Sequence, residues 1–150
     1  MSKATARPIS QTRHKARHFA MQAVYSWDMA GGTAESIESE FRTDYDMNKA
    51  DLDYFRALLS GVIGQYEQLD AMYEPCLQDR SVAELDKVEK AVLRVATYEL
   101  SERPDTPYKV IINEAVSLTK KFGATDGFKF VNGVLDQTAR QLRGPEVAAG

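Results

Sequence analysis

Between positions 52 and 69 the chain carries Leu52, Phe55, Leu59, Val62, Ile63, Tyr66 and Leu69, apolar residues recurring every three or four positions. That period lines them along one stripe of a helix, whereas a strand would scatter them over both of its faces. The same spacing returns in Ala16, Ala20, Ala23, Val24 and Trp27, in Leu85, Val88, Val92, Val95 and Tyr98, in Val110, Ile111, Ala115, Leu118 and Phe122, and in Phe128, Val131, Val134, Leu135, Thr138 and Leu142. No stretch alternates apolar and polar residues as a half-buried strand does. The pattern predicts an all-α fold of six or seven helices.

Punctuation residues set the expected boundaries. Pro8 and small polar neighbours make residues 1–11 a flexible basic arm, and Thr12 is the expected N-cap of the first helix. Gly31 and Gly32 stop it, and Thr33 caps a short helix whose buried pair is Ile37 and Phe41. Asn48 is expected to open the long helix, in which Gly61 and Gly64 mark close approach of a neighbour. Ser81 and Glu84 have capping-box spacing ahead of a helix ending near Ser101. On that helix Lys87, Glu89, Lys90 and Arg94 fall opposite the apolar stripe and read as a solvated face. Thr106 and Pro107 start another helix, Gly123 closes it, and one domain is expected over residues 12–143 with a frayed tail at 144–150.

The chemistry is sparse. One cysteine, Cys76, and two histidines supply neither a disulfide nor a metal set, so neither cofactor nor metal is expected. The glycines match no phosphate-binding fingerprint. Both histidines lie in the basic N-terminal stretch, far from Cys76, and Asp44/Asp46 and Asp51/Asp53 sit two apart, where they diverge around a helix. These features argue against an enzyme. With no apolar run of membrane-spanning or signal-peptide character, the expected location is the cytoplasm.

Charge is where the sequence becomes informative. Net charge is −3, yet Lys3, Arg7, Arg13, Lys15 and Arg17 all precede the first acid, Asp28. The remaining fourteen basic residues face twenty-two acids, a balance of −8. Arg13, His14, Lys15, Arg17 and His18 crowd the first turns of a helix, whose N-terminal dipole disfavours cations unless an anion meets them. A solvated tail is the bland alternative to anion binding. Residues 28–53 carry eight acids against Arg42 and Lys49, a side expected to repel phosphates. At 123–132, GATDGFKFVN places Asp126 and Lys129 around Phe128 and Phe130. Two aromatics two apart cannot both face a core from a helix, and an exposed ring can stack on an unpaired base for roughly 1–3 kcal/mol.

The blocks ARHFAMQAVYSW (16–27), YFRALLSGV (54–62), VEKAVLRVATYEL (88–100) and PYKVIINEAVSLTKKFGATDGFKFVNGVLDQ (107–137) resemble the bacterial NusB transcription antitermination factors over nearly the whole chain. The resemblance implies two small helical bundles packed across one another. It implies binding of the single-stranded boxA element of ribosomal leader RNA together with NusE, a ribosomal protein, and an indirect partnership with RNA polymerase. Position by position, it implies RNA contact at Arg13, His14, Lys15, Arg17, Asp126, Lys129 and Phe130, and NusE contact at Tyr25 and Glu89. The family's start often holds a run of arginines, where this chain has His14 and Lys15, so charge there should follow pH near the ordinary imidazole pKa. Phe128 stands where relatives carry a polar or imidazole side chain. Monomer or homodimer is left open. The rival reading is a helical protein–protein adaptor with a disordered basic tail and no direct RNA role.

Overall fold

The computed structural model describes residues 7–150. Most of the expected basic arm, residues 1–6, lies outside the described residues. Seven α-helices follow in order: α1 Ile9–Ala30, α2 Ala34–Asp44, α3 Leu52–Tyr73, α4 Lys87–Glu102, α5 Tyr108–Phe122, α6 Gly127–Leu142 and α7 Gly144–Ala149. Two 3-10 turns, Glu74–Cys76 and Val82–Glu84, separate α3 from α4, and the described residues contain no strand. Helices α1 to α3 pack on one another, as do α4 to α6, and α4 joins the two bundles by touching α1 and α3 as well as α5 and α6. No helix among the described residues is long and apolar enough to cross a membrane.

Several starts differ from expectation. α1 begins one turn early, at Ile9 behind Pro8, and Thr12 is already helical, its hydroxyl donating back to the Ile9 carbonyl. The first residue of the α3 cap is Asp51, which accepts from the Tyr54 N–H, so Asn48 belongs to the preceding loop. The Ser81/Glu84 capping box does form, but it closes a 3-10 turn, and α4 is capped by Asp86 through the N–H groups of Val88 and Glu89. Thr106 is buried, leaving Pro107 as the residue ahead of α5. Thr33 caps α2 as expected, with Ile37 and Phe41 buried beneath it.

The position of α4 overturns its solvated face. Lys87 at its start is exposed as expected, but Glu89, Lys90 and Arg94 are buried along with the apolar stripe, because the two bundles enclose the rest of that face. Arg94 pairs with Asp70 (2.8 Å) and Asp28 (3.4 Å), and Lys90 with Asp28 (3.4 Å), tying α4 to α1 and α3. Such charges are tolerated only when paired and hydrogen-bonded. Gly61 meets the Tyr98 ring of α4 so closely that no Cβ would fit, whereas Gly64 faces open space and precedes a kink at Gln65. Close approach therefore explains the first glycine and not the second.

The segment from Gly144, expected as a frayed tail, forms α7, and Arg143 before it is buried. The Arg143 guanidinium donates to the carbonyls of Glu99 (3.0 Å), Leu100 (3.0 Å), Arg103 (2.7 Å) and Thr106, clasping the end of α4 and the turn that follows it. Glu146 in turn accepts from the N–H of Tyr108 at the start of α5 (2.9 Å).

Candidate nucleic-acid and partner interface

The first turn of α1 holds no acid, and the cations that follow are treated very differently by the fold. Arg17 is turned inward, 3% exposed, with Nε and Nη2 on the two oxygens of Glu99 and Nη1 on Glu114. Burial disfavours its charge, but the Glu99 carboxylate outweighs that and holds the guanidinium firmly protonated. Tyr54 donates to the same carboxylate, completing a link between α1, α3 and α4. This corrects the expectation for Arg17: it fastens the bundles and offers no free cation to a ligand. Arg13 reaches Asp105 (3.3 Å) and lies over the Tyr54 ring at 4.3 Å, leaving only part of its side chain in solvent.

His14 and Lys15 do face outward. They line a concave surface of about 520 Å³ with Arg7, Ser10, Gln11, Lys49 and Glu114. His14 Nδ1 sits 2.7 Å from Glu114. Lys49 comes from the segment expected to repel phosphates, so the loop ahead of α3 contributes a cation where its average charge predicts none.

Along α1 the surface passes to His18, whose ring meets Phe122 edge-on at 4.9 Å and Phe19 at 5.6 Å. Phe122 ends α5 beside Lys120 and Lys121, both exposed. Lys120 Nζ lies 4.7 Å from the centre of the Phe128 ring and Lys129 Nζ 5.9 Å from it, and Lys129 pairs with Asp126 at 3.5 Å. The cationic face of α1 and the loop before α6 are thus joined through the last turn of α5. Packing alone brings Lys121 to His18, through the Phe122 ring that both approach.

Asp126 adopts a left-handed φ of 69° and stays exposed at the start of α6. Neither aromatic that follows is fully exposed. Phe128 is half-buried under the two lysines, while Phe130 is half-buried under the Arg80 guanidinium, 4.3 Å from its ring centre. Phe130 also lines a polar cleft of about 250 Å³ with Gln78, Lys129, Asp136, Gln137 and Arg140.

A second, apolar groove of about 280 Å³ is formed by Met21, Gln22, Tyr25, Ser26, Phe41, Tyr45, Val88 and Phe122. Tyr25 stands half-buried in its wall. Glu89 lies one residue beyond Val88 but is only 6% exposed, packed so tightly on Gly127 that a Cβ there would stand 2.7 Å from its Oε2. Burial, then the charge of Asp86, raises its carboxyl above the ordinary range, and its Oε1 has no hydrogen-bond partner among the described residues. Arg80 is 3.9 Å away. Glu89 is therefore an acceptor with spare capacity rather than an exposed acid. Among the described residues no cluster of acids, histidines and cysteine has the makings of a metal site.

Comparison with known proteins agrees with this architecture. The NusB family model matches residues 14–140. The transcription antitermination protein NusB of Teredinibacter turnerae is 54% identical over 138 residues, covering 92% of this chain and 94% of its own. That of Saccharophagus degradans is 53% identical over 137 residues, 91% of each chain. Among solved structures, NusB of T. maritima superposes with a TM-score of 0.80 at 26% identity, covering 96% of this chain and 99% of the other. A chain from a crystal structure of antitermination factors NusB and NusE in complex with dsRNA gives 0.77 at 27% identity, covering 87% and 97%. An all-helical protein of the NusB type is the class that the fold and these comparisons define. The chain belongs to the NusB family.

Proposed function

We propose that this protein acts in antitermination by binding, together with NusE, single-stranded boxA-type leader RNA of ribosomal operons, and so assists RNA polymerase indirectly. The observation that carries this reading is the continuous surface from His14 and Lys15 through Lys121 to Asp126, Lys129 and Phe130, on a body otherwise acidic. Its cations supply sequence-independent, salt-dependent attraction for phosphates. Phe130 supplies a ring, and the polar cleft beside it supplies donors and acceptors for a base edge. Arg13 stands at the margin of this surface, while Arg17 supports it from beneath.

Net charge makes RNA affinity modest without help, which favours a basic partner. The groove at Tyr25 suits an apolar contact from NusE, and Glu89 lies buried one residue from its Val88 wall. Binding of RNA and of NusE is then mutually reinforcing by linkage. Replacing Phe130 with alanine tests the base-reading role: affinity for boxA-type RNA should fall further than affinity for a scrambled strand. Equal losses on both would remove that role. The adaptor reading without RNA has the Tyr25 groove in its favour, and predicts NusE binding with no affinity for either strand.

A further inference from the structure

His18 is absent from the RNA-contacting set that family resemblance implies, yet it stands where α1 meets the last turn of α5. Its ring is half-buried between Phe19 and Phe122, Lys15 lies three residues before it on α1, and Lys121 of α5 places its Nζ 5.5 Å from the centre of the same Phe122 ring. Glu114, the carboxylate beside His14, is already engaged by His14 and Arg17. Among the described residues no carboxylate pairs with Lys15, Lys120 or Lys121. Cations gathered at one spot with nothing to neutralise them, on the route between two parts of a proposed RNA surface, define a place for an anion.

We propose that Lys15, His18 and Lys121 form a phosphate subsite that carries the RNA backbone from the concave face of α1 to the loop ahead of α6. The proposal rests on the RNA reading above and adds to it a specific path and a proton. In the free protein, burial first, and then Lys121, Lys15 and His14, push the His18 pKa down to about 4, so the ring is neutral. A phosphate held by the two lysines reverses the electrostatic part of that depression. The imidazole then holds a proton more readily, and when protonated it becomes a third donor to the phosphate. RNA binding at this subsite is accordingly coupled to proton uptake, and a mildly acidic solution favours it.

The test is an NMR titration of the His18 ring in the full-length chain, with and without a short single-stranded RNA, alongside binding measurements on Lys121→Ala. Lys121 is exposed, so its truncation spares the fold even if a change at His18 would not. The expected result is a His18 pKa that rises by about one unit or more on RNA binding. Lys121→Ala should lose a few-fold in affinity on every sequence, lower the salt slope by about one, and blunt the pKa rise. Inorganic phosphate alone should produce a smaller shift of the same sign. If RNA binds normally while the His18 titration stays fixed and Lys121→Ala binds as well as wild type, the subsite is overturned and the RNA reading survives. If the unaltered chain binds no RNA, both fall.

Discussion

Arg17 and Glu99 form a bidentate ion pair in the interior, Nε to Oε1 at 2.8 Å and Nη2 to Oε2 at 2.9 Å, with neither side chain more than 4% exposed. Breaking such a pair from one side leaves an uncompensated buried charge, which costs roughly 3–5 kcal/mol. Arg17→Ala should therefore lower the urea midpoint strongly, and Glu99→Ala similarly. Replacing both by well-packed apolar residues should recover much of the loss. If Arg17→Ala left stability within a few tenths of a kcal/mol of wild type while weakening RNA binding, Arg17 would be a surface contact after all.

The two glycines of α3 should respond in opposite directions to alanine. At Gly61 a methyl group would strike the Tyr98 ring, and overpacking of this kind costs about 1–3 kcal/mol. At Gly64 nothing lies within reach, so the gain in helix propensity, about 1 kcal/mol, should appear undiminished. Paired thermal melts read both signs. A stabilised Gly61→Ala would mean that α3 and α4 pack less closely than the structure has them.

Stability should also carry the signature of His18. Its pKa in the folded chain, about 4, lies below the ordinary 6.5. Between those values the unfolded chain takes up a proton that the folded chain refuses. The stability contributed by the neutral ring is thus whole above about pH 6.5 and is lost as pH falls toward 4. Comparing denaturation midpoints of wild type and His18→Gln across that window isolates the effect, with the glutamine variant losing less on acidification. Identical pH profiles would show that the ring is not held neutral by its surroundings. RNA should weaken this dependence, since it stabilises the protonated ring.

What the sequence disclosed depended on whether one face or several were buried. The stripes of α3 and α6 were legible because each packs one side inward; Val131, Val134, Leu135 and Thr138 are all buried where the period puts them. Thr33 and Gly61 were legible because a cap and a close contact each demand a small menu of residues. The charged side of α4 misled for a physical reason. Periodicity reports which face is apolar, and it cannot report that Lys90 and Arg94 will find Asp28 and Asp70, carboxylates distant in sequence. Arg17 was grouped with its neighbours by charge, although its position on the Ala16, Ala20 and Ala23 side of α1 already pointed inward. The joining of Lys121 to His18 is a long-range packing event, and the clasp of Arg143 on α4 is another; neither leaves a local pattern.

The most direct test is a filter-binding titration of the full chain against boxA-type leader RNA and a scrambled strand of equal length, each with and without NusE, at two salt concentrations. The account predicts weak, salt-sensitive binding alone, and a marked gain with NusE that is larger for the boxA-type strand. Binding that is equally weak for both strands whether or not NusE is present would contradict it.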